Sequence, residues 1–272
     1  MWKRFQSIDW KRAGRISGWS ALGIVFVVSV GFTGSRQDSM ACTGVHVHIT
    51  DTIGHSFVEV DDVEAMIRDK YGAVEGKSLH AINTALLESI IRNNPFVKTA
   101  EVFSSIDGKL YVEVIQRTPI VRVINQLGES FYIDEQGTFM PLSGQYTARV
   151  PVANGYLFDR EAERNILQYS EEQRADTSIK RSRIDEVFRV AQFLQGDPFW
   201  LSQTEQLYVN LNGDIELVPR VGNHTILLGD ASRLDVKFRN LRWFYREALN
   251  KKGWGEYKTI NLKYHDQVVA AH

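Results

Sequence analysis

The stretch NPFVKTAEVFSSIDGKLYVEVIQRTPI, Asn94 to Ile120, decides the fold. Val97 to Ser104 reads as a strand. Asp107-Gly108 supplies the positive φ that a tight hairpin turn needs. Leu110, Val112 and Val114 then alternate with polar neighbours, as on a half-buried strand. Arg117-Thr118-Pro119 closes the segment. Nothing in it resembles an active site.

Working outward toward the N-terminus, GKSLHAINTALLESIIRNNP predicts a helix. Asn83 is its expected cap, and Leu86, Leu87, Ile90 and Ile91 form its apolar face. Pro95 ends it, because the residue before proline avoids the helical region. VDDVEAMIRDKYG predicts an earlier helix with Val63, Met66, Ile67 and Tyr71 at helical spacing and Gly72 as its stop. Asp61 is the expected cap, with Glu64 closing a capping box. Before it, GVHVHIT, Gly44 to Thr50, alternates as a strand, with His46 and His48 on the opposite face from Val45, Val47 and Ile49. Two histidines at this spacing could chelate a metal. No cysteine or carboxylate cluster nearby completes such a site, so an exposed strand face is the expectation.

The N-terminal region carries a different signal. Lys3, Arg4, Lys11, Arg12 and Arg15 stand against Asp9, and Ile16 to Ser35 then runs without a charge. Twenty helical residues rise about 30 Å, the thickness of a bilayer core. The basic flank predicts a cytoplasmic N-terminus, with Arg36 onward exported. A cleaved signal peptide is a competing reading. Ser39-Met40-Ala41 loosely fits a cleavage site and would leave Cys42 first, as in a lipoprotein, but Arg36 and Asp38 interrupt the run. A buried helix fits a charge-free run with so basic a flank less well.

Composition limits the function classes. The 272-residue chain has a net charge of −1, so no overall basic field points to nucleic acid. Its one cysteine excludes an intramolecular disulfide. No GxSxG, HExxH, P-loop, CxxC or GxGxxG motif occurs, and the seven histidines are scattered. No cofactor, metal or small-molecule substrate is expected, and recognition of other proteins remains.

The C-terminal half predicts a larger β domain. Val121–Asn125 and Ser130–Asp134 suggest a hairpin through Gly128, followed by a turn at Gln136-Gly137. Ile184 to Leu194 has helical spacing. Gln206 to Val218 reads as a hairpin turning at Asn212-Gly213. His224 to Asp230 reads as a strand, about Ala231 to Asn250 as an amphipathic helix, and Lys258 to Ala270 as a final strand. The fold class is α+β: one transmembrane helix, a β-α-α-β-β module, then a mixed or antiparallel β domain with helices. The expected divisions are 1–15 cytoplasmic tail, 16–35 membrane helix, 36–43 linker, 44–119 first module and 120–272 β domain.

The β-α-α-β-β order behind a membrane helix, with NPFVKTAEV and VEVIQRTPI, resembles a POTRA domain. The continuation FYIDEQGTFMPL, Phe131 to Leu142, is similar to the segment after POTRA in the FtsQ (DivIB) family of cell-division proteins. That family has an Asp-Leu-Arg-Tyr-like run in its last strand. Here it stands as Asn261-Leu262-Lys263-Tyr264, followed by His265-Asp266-Gln267 instead of a small-residue turn.

The resemblance implies a non-catalytic scaffold of the division machinery in the cytoplasmic (inner) membrane at the septum. Its partners would be small bitopic FtsB-like and FtsL-like proteins and upstream division proteins. Strand addition at a C-terminal edge implies Ile260, Asn261, Leu262, Lys263, Tyr264 and His265 as partner-binding residues, Tyr264 first among them. Asn94, Pro95, Val97 and Lys98 mark a candidate recruitment region on POTRA. The alternatives are a POTRA-bearing envelope transport or assembly component and an exported envelope enzyme.

Overall fold

The hairpin of the opening stretch forms where its residues place it. Strand β2 spans Val97–Ser104 and β3 spans Lys109–Gln116. Between them Gly108, at φ +84°, donates its N–H to the Ser105 carbonyl. This computed structural model describes residues 22–26, 40–50, 56–157, 183–264 and 267–272. Only 22–26 of the predicted membrane helix Ile16–Ser35 falls among them, and those five residues are helical. The expected tail 1–15 lies outside the described residues, as do Arg36 to Ser39 of the linker. Among the described residues no helix is long and apolar enough to cross a membrane.

Contacts divide the chain into two compact units. The first contains 40–50, Glu59–Asn94 and Thr99–Ile115. Its sheet has the order β1-β3-β2, with β1 (Gly44–Thr50) parallel to β3. Helix α1 (Val60–Lys70) contributes buried Val63 and Ile67, and α2 (Thr84–Arg92) contributes Leu87, Ile90 and Ile91. Leu110, Val112 and Val114, the alternate residues of β3, are buried as well. Asn83 caps α2, its Oδ1 accepting from the Leu86 N–H at 3.0 Å. Helix α1 begins earlier than Asp61 suggests. Glu59 is its N-cap, and Asp62 reaches back to accept from the Glu59 N–H at 2.9 Å. An acidic residue three positions after the cap closes the box, as expected, but the pair is Glu59–Asp62.

The second unit contains 56–58, Pro95–Lys98 and the described residues from Gln116 onward. Its nine strands are β4 (Pro119–Ile124), β5 (Ser130–Asp134), β6 (Phe139–Met140), β7 (Val152–Gly155), β8 (Thr204–Val209), β9 (Ile215–Pro219), β10 (Thr225–Gly229), β11 (Thr259–Asn261) and β12 (Val269–Ala271). The sheet order is β12-β11-β10-β9-β8-β7-β4-β5-β6. It is mixed: β7 runs parallel to β4 and β8, and β10 parallel to β11, while the other neighbours are antiparallel.

Parallel neighbours need a crossover. Helices α3 (Arg183–Gln195) and α4 (Pro198–Gln203) lie in the chain between β7 and β8, and α5 (Leu234–Phe244) lies between β10 and β11. Val187, Leu194, Trp200, Phe238 and Leu241 from these helices share one core with Leu207, Leu217, Ile226 and Ile260 from the sheet. Gly155 is required at the end of β7. Its φ is +101°, and a Cβ there would lie 2.2 Å from the Val209 carbonyl oxygen.

The start of α5 is held by Lys237, whose buried ammonium donates to the Asp230 carbonyl and to Asp230 Oδ1, both at 2.8 Å. Partial burial works to raise the Asp230 pKa, but the bonds from Lys237 and Ser232 outweigh it and bring it to about 2. The last turn of this helix widens into a π-turn at Tyr245–Leu249. There the buried Tyr245 hydroxyl meets His224 Nε2 at 3.0 Å, and Trp254 packs edge-on against Tyr245.

Candidate partner-binding edge of the larger sheet

The sequence reading makes Lys258–Ala270 one edge strand. The structure corrects this to two strands joined by a reversal. Strand β11 ends at Asn261, whose Oδ1 accepts from the Lys263 N–H at 2.9 Å. Such a local turn takes the chain out of its extended course. It returns as β12, antiparallel to β11, with Ile260 opposite Ala270 and Asn261 opposite Val269. Strand β11 is therefore interior, between β10 and β12, and β12 is outermost.

The candidate residues separate accordingly. Ile260 (0% exposed) and Leu262 (2%) are core. Asn261 is half-buried, and its side chain makes the turn. Lys263 is exposed and pairs with Asp214 at 2.7 Å, a bond that raises the Lys263 pKa above its usual value. The Lys263 stem crosses Gly229, where a Cβ would stand 2.9 Å from Lys263 Cγ. Tyr264 is 53% exposed, and His265 lies outside the described residues.

The outer edge offers Val269, Ala270 and Ala271, with Val269 and Ala271 exposed. Beside it lies a cleft of about 440 Å³ lined by Asn240, Trp243, Phe244, Glu247, Ala248, Gln267 and Val268. Trp243 is 60% exposed on α5. Glu247 is held between Lys251 (2.7 Å) and Arg246 (2.9 Å), which keep its carboxyl below the usual range. The cleft is thus apolar with a charged rim, and it abuts Gln267 and Val268, which lead into β12, the outermost strand among the described residues. The opposite end, β6, is only Phe139–Met140, with Met140 buried and Phe139 stacked on Phe131 at 4.7 Å. Sequence reasoning missed Trp243 and Val269. The signal was present in FRNLRWF, where the apolar stripe carries one large aromatic off its face.

Of the candidate recruitment residues near the POTRA-like part, one is buried, two are half-buried and one is exposed. Val97 is buried, and Lys98 pairs with Glu135. Asn94 donates to Met66 Sδ at 3.7 Å, leaving Pro95 exposed. His46 packs edge-on against Tyr111 at 5.3 Å. Among the described residues no three histidine, cysteine or acidic side chains group as a metal site. Cys42 is buried, and its N–H donates to the Lys77 carbonyl. Just before it, the Met40 carbonyl accepts from the Leu79 N–H, and Ala41 bridges to Ser78. Cleavage ahead of Cys42 would remove the Met40 and Ala41 pairings.

Comparison with known families gives the class directly. The POTRA-like domain matches residues 40–115, and the family described as FtsQ/DivIB, C-terminal related, matches residues 118–271. The second match covers more than half of the chain, and the chain belongs to this FtsQ/DivIB-related family. No curated protein matches it.

Proposed function

We propose that this chain is a non-catalytic scaffold of the cell-division machinery that takes a partner's strand on the outer edge of β12. The observation that carries this reading is that β12 is the outermost strand among the described residues and that an apolar cleft beside Trp243 abuts its start. An added strand satisfies free N–H and C=O groups, and a neighbouring cleft selects side chains. Tryptophan on a partly exposed face is a frequent anchor of binding energy. Family membership favours a division-associated scaffold over an enzyme.

Within this reading, residues 1–15 are cytoplasmic, 16–35 anchor the chain in the inner membrane, and 36–43 link the anchor to the exported part. The POTRA domain, 44–119, contacts upstream division proteins around Pro95, and the β domain, 120–272, holds FtsB-like and FtsL-like bitopic partners at the septum. The β12 edge replaces Ile260 and Leu262 as the contact, with exposed Tyr264 in the chain that leads to it, while Lys263 turns the other way, toward Asp214. Co-purification of the full chain with such a partner tests this. Wild type should retain the partner, and proline substitution in β12 should release it from a folded protein. Equal retention by both would overturn the reading.

A further inference from the structure

The first unit brings three features to one end. The turn Ser105–Gly108 carries Ile106 at its tip, 82% exposed, the most exposed large apolar side chain among the described residues. Turn chemistry does not call for a branched aliphatic here. Next to the tip, Phe103 stacks on Tyr111 at 5.7 Å on the open face of the sheet. The chain enters the unit at this same end. The Thr43 N–H and Oγ1 both donate to the Gly108 carbonyl, at 2.8 and 3.1 Å, and Cys42 pairs with the Gly76–Lys77 loop.

On the hairpin itself the charges are Lys109, which is exposed, and Asp107; on the Gly76–Lys77 loop Glu75 is exposed and the Lys77 ammonium stands 5.0 Å over the Tyr71 ring. Asp107 turns back on its own hairpin, accepting from the Lys109 N–H at 3.2 Å and the Tyr111 hydroxyl at 3.1 Å. Ahead of Thr43 stands the charge-free run ending at Ser35. Eight residues reach at most about 28 Å when fully extended.

The geometry points to the hairpin tip as a membrane-contacting wedge: Ile106 enters the outer headgroup region of the anchoring bilayer, with Phe103 and Tyr111 at the interface and Lys109 toward lipid phosphates. This rests on the anchor reading given above. An exposed isoleucine gains from leaving water, aromatic rings favour the interface, and lysines snorkel to phosphate. The short tether keeps the tip near that surface. The unit would then be oriented against the membrane by two points, its anchor and its hairpin.

The test uses the full chain in vesicles of phosphatidylethanolamine and phosphatidylglycerol. A bimane probe is placed on Ile106→Cys, with buried Cys42 left in place, and separately on Leu211→Cys, a 77% exposed turn residue of the second unit. Spin-labelled lipid should quench the probe at 106 severalfold more than at 211. Equal, weak quenching at both, with the protein still membrane-bound after alkaline carbonate, would overturn the wedge and leave the anchor intact. Release by carbonate would overturn both.

Discussion

Ile260 stands directly opposite Ala270 across the β11–β12 pair, the one without solvent exposure and the other on the outermost strand. The core and the proposed contact surface thus lie on neighbouring strands. Ile260→Ala should cost about 2–5 kcal/mol, the usual range for emptying such a site. Tyr264→Ala, exposed beside it, should stay within about 0.5 kcal/mol of wild type. Urea unfolding of the two variants checks this, and comparable losses would place Tyr264 in the core.

Successive backbone groups along a strand point to opposite sides. Val269→Pro and Ala270→Pro should therefore differ. One removes an N–H facing β11 and lowers stability. The other removes an outward N–H and weakens partner binding with little change in unfolding midpoint. Titration of each variant with the partner's extracytoplasmic segment reads the difference.

Trp243→Ala should leave the fold intact, because the ring is largely outside the core. If the cleft holds a partner side chain, this change should cost about 2 kcal/mol of binding, roughly a thirtyfold weaker Kd. Isothermal titration measures it. Phe139→Ala, at the far edge, should leave Kd unchanged.

Burial lowers the pKa of His224, against an opposing pull from the Trp254 backbone. The folded state therefore prefers the neutral ring that meets the Tyr245 hydroxyl. Stability from this group is complete above the unfolded value of about 6.5 and declines as pH falls below it. His224→Gln should flatten the fall in unfolding midpoint between about pH 6.5 and 5. An unchanged slope would assign that fall to other groups.

Much of this architecture is legible in the sequence because local chemistry and burial agree. The β2–β3 hairpin follows from Asp107-Gly108 and from the alternation of Leu110, Val112 and Val114. The β8–β9 turn follows from Asn212-Gly213, and α2 follows from Asn83. The last strand misleads because Ile260 and Leu262 alternate as a strand should, while one Asn261 side-chain bond ends it. Strand β7, Val152–Gly155, has too few residues for a periodic signal and is fixed by its parallel neighbours β4 and β8. That the C-terminal segment lies at the end of the larger sheet follows from its alternation and its place last in the chain. That Ile260 sits on an interior strand is not legible, because which strand is outermost depends on pairing between segments distant in sequence.

The most direct measurement is photocrosslinking in growing cells from a photoreactive residue at Val269, compared with one at Phe139. Adducts with a small bitopic division protein from position 269, and none from 139, are the predicted result. Adducts from 139 with none from 269, in a protein that still reaches the septum, would contradict partner capture at β12.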